Sequence, residues 1–121
     1  MSIAIPGALE LQFVASVNQT ARICHEISLS KGFGDDRSFG DIISLIHSEL
    51  SEALEEFRNG HEPTEIYFNG QKPEGIPIEL ADAVIRIFQY CDTAGIDLGT
   101  AIITKMEFNK TRPSKHGGKV I

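Results

Sequence analysis

Four carboxylates are the residues whose type and spacing could do chemistry here. Glu49 and Glu52 stand three apart in Glu-Leu-Ser-Glu, and Glu79 and Asp82 stand three apart in Glu-Leu-Ala-Asp. Residues three apart in a helix share one flank, so each pair points one way if its segment is helical. Both pairs are embedded in stretches apolar enough to face a core. If the two helices pack antiparallel, the four acids converge between them. Clustered anions without a counterion are costly, and some would have to take up protons. A divalent cation relieves that conflict, and a carboxylate-only ligand set suits Mg²⁺, or Mn²⁺, rather than zinc or copper. A di-iron centre would want Glu-x-x-His on each of two helices. The chain has no such motif: His47 is two residues before Glu49, and His25 directly precedes Glu26. The competing reading is two solvated acidic flanks, because glutamates at this spacing are common on helix surfaces.

A complementary face lies further on. Lys105, Asn109 and Arg112 fall at i, i+4 and i+7. Such a face could hold phosphate oxygens, with arginine binding them in bidentate fashion. Equally, it could be a solvated face whose cations suit a helix C-terminus. Lys31 is a further candidate phosphate contact. Arg86, one turn beyond Asp82, could pair with that aspartate or reach a ligand.

The elements that must position these residues are helices. Over residues 42–57, apolar side chains recur at Ile42, Leu45, Ile46, Leu50, Ala53, Leu54 and Phe57, in three- and four-residue steps. Glu49, Glu52 and Glu56 share a flank of that helix. Ser38 or Asp41 can cap its start, and Asn59-Gly60 should stop it. A first helix is expected over about residues 9–29, after a loose lead-in closed by Pro6-Gly7. A third should start near Ile76 to Ile78, with Pro77 in its first turn, carry Ile78, Ala81, Val84, Ile85, Phe88 and Cys91 inward, and end at Gly95. A fourth begins at the N-cap Asp97 and is ended by Pro113. The tail from Ser114 to Ile121 is expected to be mobile without a partner. Between the second and third helices, residues 61–77 carry three of the five prolines. There Ile66-Tyr67-Phe68 meets Asn69-Gly70, a two-residue hairpin signal. The expected fold is a single all-α domain over residues 1–121, a bundle of about four helices with a hairpin-like insertion.

Composition narrows the function. At 121 residues the chain can bury a modest core. A formal charge of −6 argues against nucleic acid as a partner, which needs a basic face. With 41% hydrophobic residues and no 20-residue apolar run, no membrane span is expected. The N-terminus lacks the basic start and apolar run of a signal peptide, so a cytoplasmic protein is expected. Cys24 and Cys91 show no metal-ligand spacing and read as buried small apolar residues.

The paired motif, Glu49-x-x-Glu52, about 26 residues, then Glu79-x-x-Asp82, resembles the signature of the MazG-like all-α nucleoside triphosphate pyrophosphohydrolases. The stretches GIPIELADAVIRI (75–87) and KMEFNKTRPSKHGGKVI (105–121) are similar as well, so the resemblance covers about two thirds of the chain. It implies Mg²⁺-dependent cleavage of an NTP or dNTP to the monophosphate and pyrophosphate, as house-cleaning of non-standard or excess nucleotides. Glu49, Glu52, Glu79 and Asp82 would ligate the metal, with Glu52 or Glu49 the candidate general base for the attacking water. Lys105, Asn109 and Arg112 would steady the phosphates, with the base in an apolar pocket lined by Phe33, Phe39 or Phe13. A homodimer or homotetramer is implied. The chain departs from many relatives in lacking tryptophan and in carrying the 61–77 insertion. Two alternatives stand beside this reading: a non-catalytic oligomeric helical protein that binds a nucleotide or partner, and a phosphoribosyl-ATP pyrophosphohydrolase.

Overall fold

A computed structural model describes residues 7–112. The lead-in before Gly7, the stop at Pro113 and the tail lie outside the described residues. Four helices and one small hairpin follow in order: α1 (Gly7–Ser30), α2 (Phe39–Arg58), β1 (Tyr67–Asn69), β2 (Lys72–Glu74), α3 (Ile76–Ala94) and α4 (Leu98–Thr111). The fold is an all-α four-helix bundle. α3 is its centre: α1 and α2 both pack along it, β2 touches it, and α4 packs on α1. None of the described helices is long and apolar enough to cross a membrane.

Local chemistry sets the boundaries. Of the two candidate caps of α2, Ser38 does the work: its Oγ accepts from the Asp41 N–H at 3.1 Å, so the helix opens at Phe39, three residues before the apolar stripe. Asn59 closes it, and Gly60 takes the left-handed turn at φ 89°. Pro77 lies in the first turn of α3, and Gly95 ends that helix in the left-handed conformation. Asp97 caps α4 by accepting from the Thr100 N–H at 2.9 Å. Arg112, preceding Pro113, is extended, as a residue before proline prefers.

The hairpin forms one step along from Asn69-Gly70. Asn69 pairs with Lys72, so Gly70 and Gln71 make the turn, with Gly70 at φ 66° in its first position. Asn69 belongs to the ladder because glycine fills the left-handed site. The hairpin is tied to the end of α2: the Tyr67 hydroxyl donates to Glu56 at 2.8 and 2.9 Å. His61 stacks on Tyr67 at 4.6 Å and approaches Glu56 at 3.4 Å. Glu56, on the acidic flank of α2, is thereby engaged by the insertion.

The most buried side chains are small ones, Ala21, Ala53, Ala83 and Cys91, with Ile76 beside them. Helices approach closely at such residues, and among the described residues no large side chain is fully enclosed. The apolar stripe of α2 splits. Leu45 and Ile46 are half-buried, whereas Leu50, Leu54 and Phe57 face outward at 46%, 57% and 61% exposure. On α3, Leu80, Val84, Ile85 and Ile87 do the same, and Ala81 is exposed as well, so Ala81, Val84 and Ile85 depart from their expected inward places. Cys91 is buried as expected, but Cys24 is only half-buried.

Candidate functional site

The α2–α3 interface brings acids from both motifs together. One carboxylate oxygen each from Glu49, Glu79 and Asp82 lies within 4.8 Å of the other two. Glu49 is buried, and Glu79 and Asp82 are half-buried. Glu52 is exposed at the rim and does not join the three at that distance. Its carboxylate is still close enough to act on Glu79 and Glu49.

Arg86 reaches across from α3 and donates through Nε to Glu49 Oε1 at 3.0 Å. Spacing along α3 allows Arg86 either Asp82 or a ligand; its hydrogen bond goes to Glu49 on α2, while its charge still acts on Asp82. Burial works to raise the Glu49 carboxyl. The Arg86 guanidinium, together with proton sharing from Glu52 and Glu79, outweighs it and holds Glu49 below the usual carboxylate range. Glu79 goes the other way: burial, then proton sharing with Glu52 and Glu49, then the charges of Glu52 and Asp82, push it up to about 8. Asp82 is raised by burial and by the negative charges of Glu49 and Glu52, against the pull of Arg86 and Lys72. Glu79 Oε2 is buried and meets no donor. Its polar neighbours are carboxylates, which can bond to it only where one of them carries a proton.

That orphaned oxygen, in an all-oxygen acidic set, fits a hard divalent cation such as Mg²⁺. The cation would be held by Glu49, Glu79 and Asp82, with Glu52 at the edge.

A cleft of about 300 Å³ opens beside the acids, lined by Glu49, Asp82, Arg86, Gln89, Lys31 and Phe33 among others. It continues into a second, more enclosed cleft that shares Phe33, Arg37, Arg86 and Gln89 and adds Tyr90 and His25. Lys31 thus lines the same cleft as Glu49 and Asp82. Phe33 lines both clefts, and Phe39 packs on Tyr90 with ring centroids 5.1 Å apart. Phe13, on the first half of α1, lines neither. Lys105 and Asn109 are exposed on α4, which packs on α1; Arg112 is exposed just beyond it, and its extended backbone takes it off the expected helical face. None of the three lines either cleft. The Lys105 ammonium lies over the Phe108 ring at 4.7 Å. Gln89, Arg37 and His25 are the cleft residues that periodicity does not single out. Compared with protein-family models, with curated proteins and with solved structures, the chain finds no match in any of the three.

Proposed function

We propose that the chain is a Mg²⁺-dependent nucleotide pyrophosphohydrolase that converts an NTP or dNTP to the monophosphate and pyrophosphate. The observation that carries this reading is the convergence of Glu49, Glu79 and Asp82 around a buried oxygen with no donor, beside a cleft walled by Lys31 and Arg86. The motif's resemblance to the MazG-like enzymes points the same way. When bound, Mg²⁺ supplies charge neutralisation on the phosphates and activation of water. Lys31 and Arg86 face the phosphate chain, and the Phe33–Tyr90 cleft offers aromatic surface to a base. Water attacks phosphorus, the anhydride P–O bond breaks, and pyrophosphate leaves with the bonding pair. Of the two candidate bases, Glu52 is the better placed to take the water's proton, because Glu49 is committed to Arg86.

Pyrophosphate release from a panel of NTPs, dNTPs and phosphoribosyl-ATP, with Mg²⁺ and with EDTA, tests the proposal. Release that needs Mg²⁺ is expected, and Glu52→Gln should lower it by roughly two to three orders of magnitude with the fold retained. Mg²⁺ binding without turnover of any of them would leave the non-catalytic binding protein, and turnover of phosphoribosyl-ATP alone would favour the phosphoribosyl-ATP pyrophosphohydrolase.

The outward apolar residues support a homo-oligomer. Leu50, Leu54 and Phe57 on α2, with Leu80, Val84 and Ile87 on α3, expose helix faces of the kind that a partner buries. A dimer or tetramer is expected by light scattering. Leu54→Glu combined with Phe57→Glu should shift it to monomer. A parent that runs as a monomer at high concentration sinks this part. An oligomer is also the route by which Lys105, Asn109 and Arg112 would meet a neighbouring copy's phosphates.

A further inference from the structure

His25 sits where α1, α3 and the 31–38 loop meet, with a carboxylate at each ring nitrogen. Nδ1 is 2.7 Å from Asp92 Oδ2 on α3, and Nε2 is 2.9 and 3.1 Å from the two oxygens of Asp35 in the loop. The Thr93 hydroxyl lies 3.2 Å from Nε2, and can donate to Asp35 at 3.3 Å or to the Gln89 carbonyl at 3.0 Å. A neutral imidazole has one N–H, and its other nitrogen is a lone pair. Between two carboxylates, the neutral ring turns that lone pair onto an anion; only the imidazolium donates at both ends. The other charged or titratable groups of the same cleft are Arg37 from the loop and Arg86 and Tyr90 from α3. α2 contributes Ile42 and Leu45 there, which do not titrate, and α4 contributes nothing to it.

We infer that His25 is a positioning residue: its imidazolium ties Asp35 to Asp92 and holds the 31–38 loop shut over the cleft, and loss of the second proton releases the loop. The loop carries Lys31, Phe33 and Arg37, which wall the cleft that contains Glu49 and Asp82. The Arg37 guanidinium lies over the Phe33 ring at 5.8 Å, a contact within the loop itself. The hydrogen bond to Asp92, opposed by burial and helped by Asp35 and by both charges, raises the ring above its ordinary 6.5. A raised histidine stabilises the closed form fully below 6.5 and loses that contribution as pH climbs through the raised value.

The latch concerns the loop itself, and its test uses neither nucleotide nor metal, so its failure is distinct from failure of the hydrolase reading. In the full chain, NMR follows the His25 ring carbons against pH. The same samples yield the exchange of the Phe33 amide, which donates to the Ser28 carbonyl at 3.2 Å, corrected for the intrinsic pH dependence of exchange. His25 should titrate above 6.5, and Phe33 should exchange about tenfold faster once the ring is neutral. Asp35→Asn should lower the midpoint and remove most of that change. Asp36→Asn, outside the cluster, should alter neither, and His25→Gln should give a flat profile. If His25→Gln does not fold, Asp35→Asn carries the test. A ring that titrates at or below the ordinary value, or a Phe33 amide indifferent to the ring's charge, overturns the inference.

Discussion

At pH 8 without added metal, Glu79→Gln should unfold at a higher temperature than the parent, and, on the proposed hydrolase function, should release pyrophosphate with Mg²⁺ roughly a thousandfold more slowly. Both halves follow from one atom. Glu79 Oε2 is buried among acids without a donor, and its carboxyl is pushed up to about 8. A carboxyl raised above its unfolded value of 4.5 costs the fold nothing below that value. The cost grows as pH climbs from 4.5 toward about 8 and is complete above it. Glutamine supplies an N–H to the neighbouring carboxylates and cannot ionise, so the variant keeps what the parent loses. A gain of about 2 kcal/mol, or roughly 10 °C, is expected at pH 8. At pH 4.5 the two should differ little. Mg²⁺ should close the gap by stabilising the parent alone, by about 2.7 kcal/mol at one hundred times its dissociation constant. Circular dichroism melts at both pH values, with and without Mg²⁺, read the first half, and a pyrophosphate assay reads the second. A variant less stable than the parent at pH 8 would remove the frustrated-acid account, and one with full turnover would remove Glu79 from the metal set.

What could be read in advance was local. Ser38, Gly95 and Asp97 act on backbone groups within a few residues, so capping rules place the ends of α2, α3 and α4. The meeting of Glu49 with Glu79 and Asp82 was also legible, because two acidic flanks on packed helices have few other places to go. Rotation about the helix axes was not. Arg86 has Asp82 as a neighbour along its own helix but finds Glu49 across the interface. Leu50, Leu54 and Phe57 satisfy the apolar period yet face outward, since periodicity cannot tell a core from a surface awaiting a partner. Lys105 and Asn109 do share a helix, while Arg112 stands just past its end in extended backbone; which neighbour that helix packs against is a tertiary fact, and the neighbour is α1. His25 carried no signal at all: its partners stand 10 and 67 residues away, outside any helical repeat.

Gly75→Ala should be the most destabilising single methyl that can be added to the insertion. Gly75 is the N-cap of α3 at φ 123°, a conformation that side chains resist. A Cβ there would stand 2.3 Å from the Glu65 carbonyl oxygen, a backbone atom that cannot swing aside. Relief requires either the hairpin to lift or the start of α3 to shift. The Gly75 carbonyl accepts from the Ile78 and Glu79 amides, both at 3.1 Å, so a shift of α3 carries Glu79 with it. A loss of about 3 kcal/mol or more is expected, with weaker Mg²⁺ binding in whatever remains folded. Gly70→Ala is the internal comparison. It also has positive φ, at 66°, but nothing lies within 4 Å of its added Cβ. Its loss should be the backbone term alone, about 1 kcal/mol, with Mg²⁺ affinity unchanged. Urea denaturation and Mg²⁺ titration of the two variants separate strain from collision. If they lose the same stability and bind Mg²⁺ alike, the insertion is not what fixes the first turn of α3, and the placement of Glu79 must be credited to the α2–α3 packing alone.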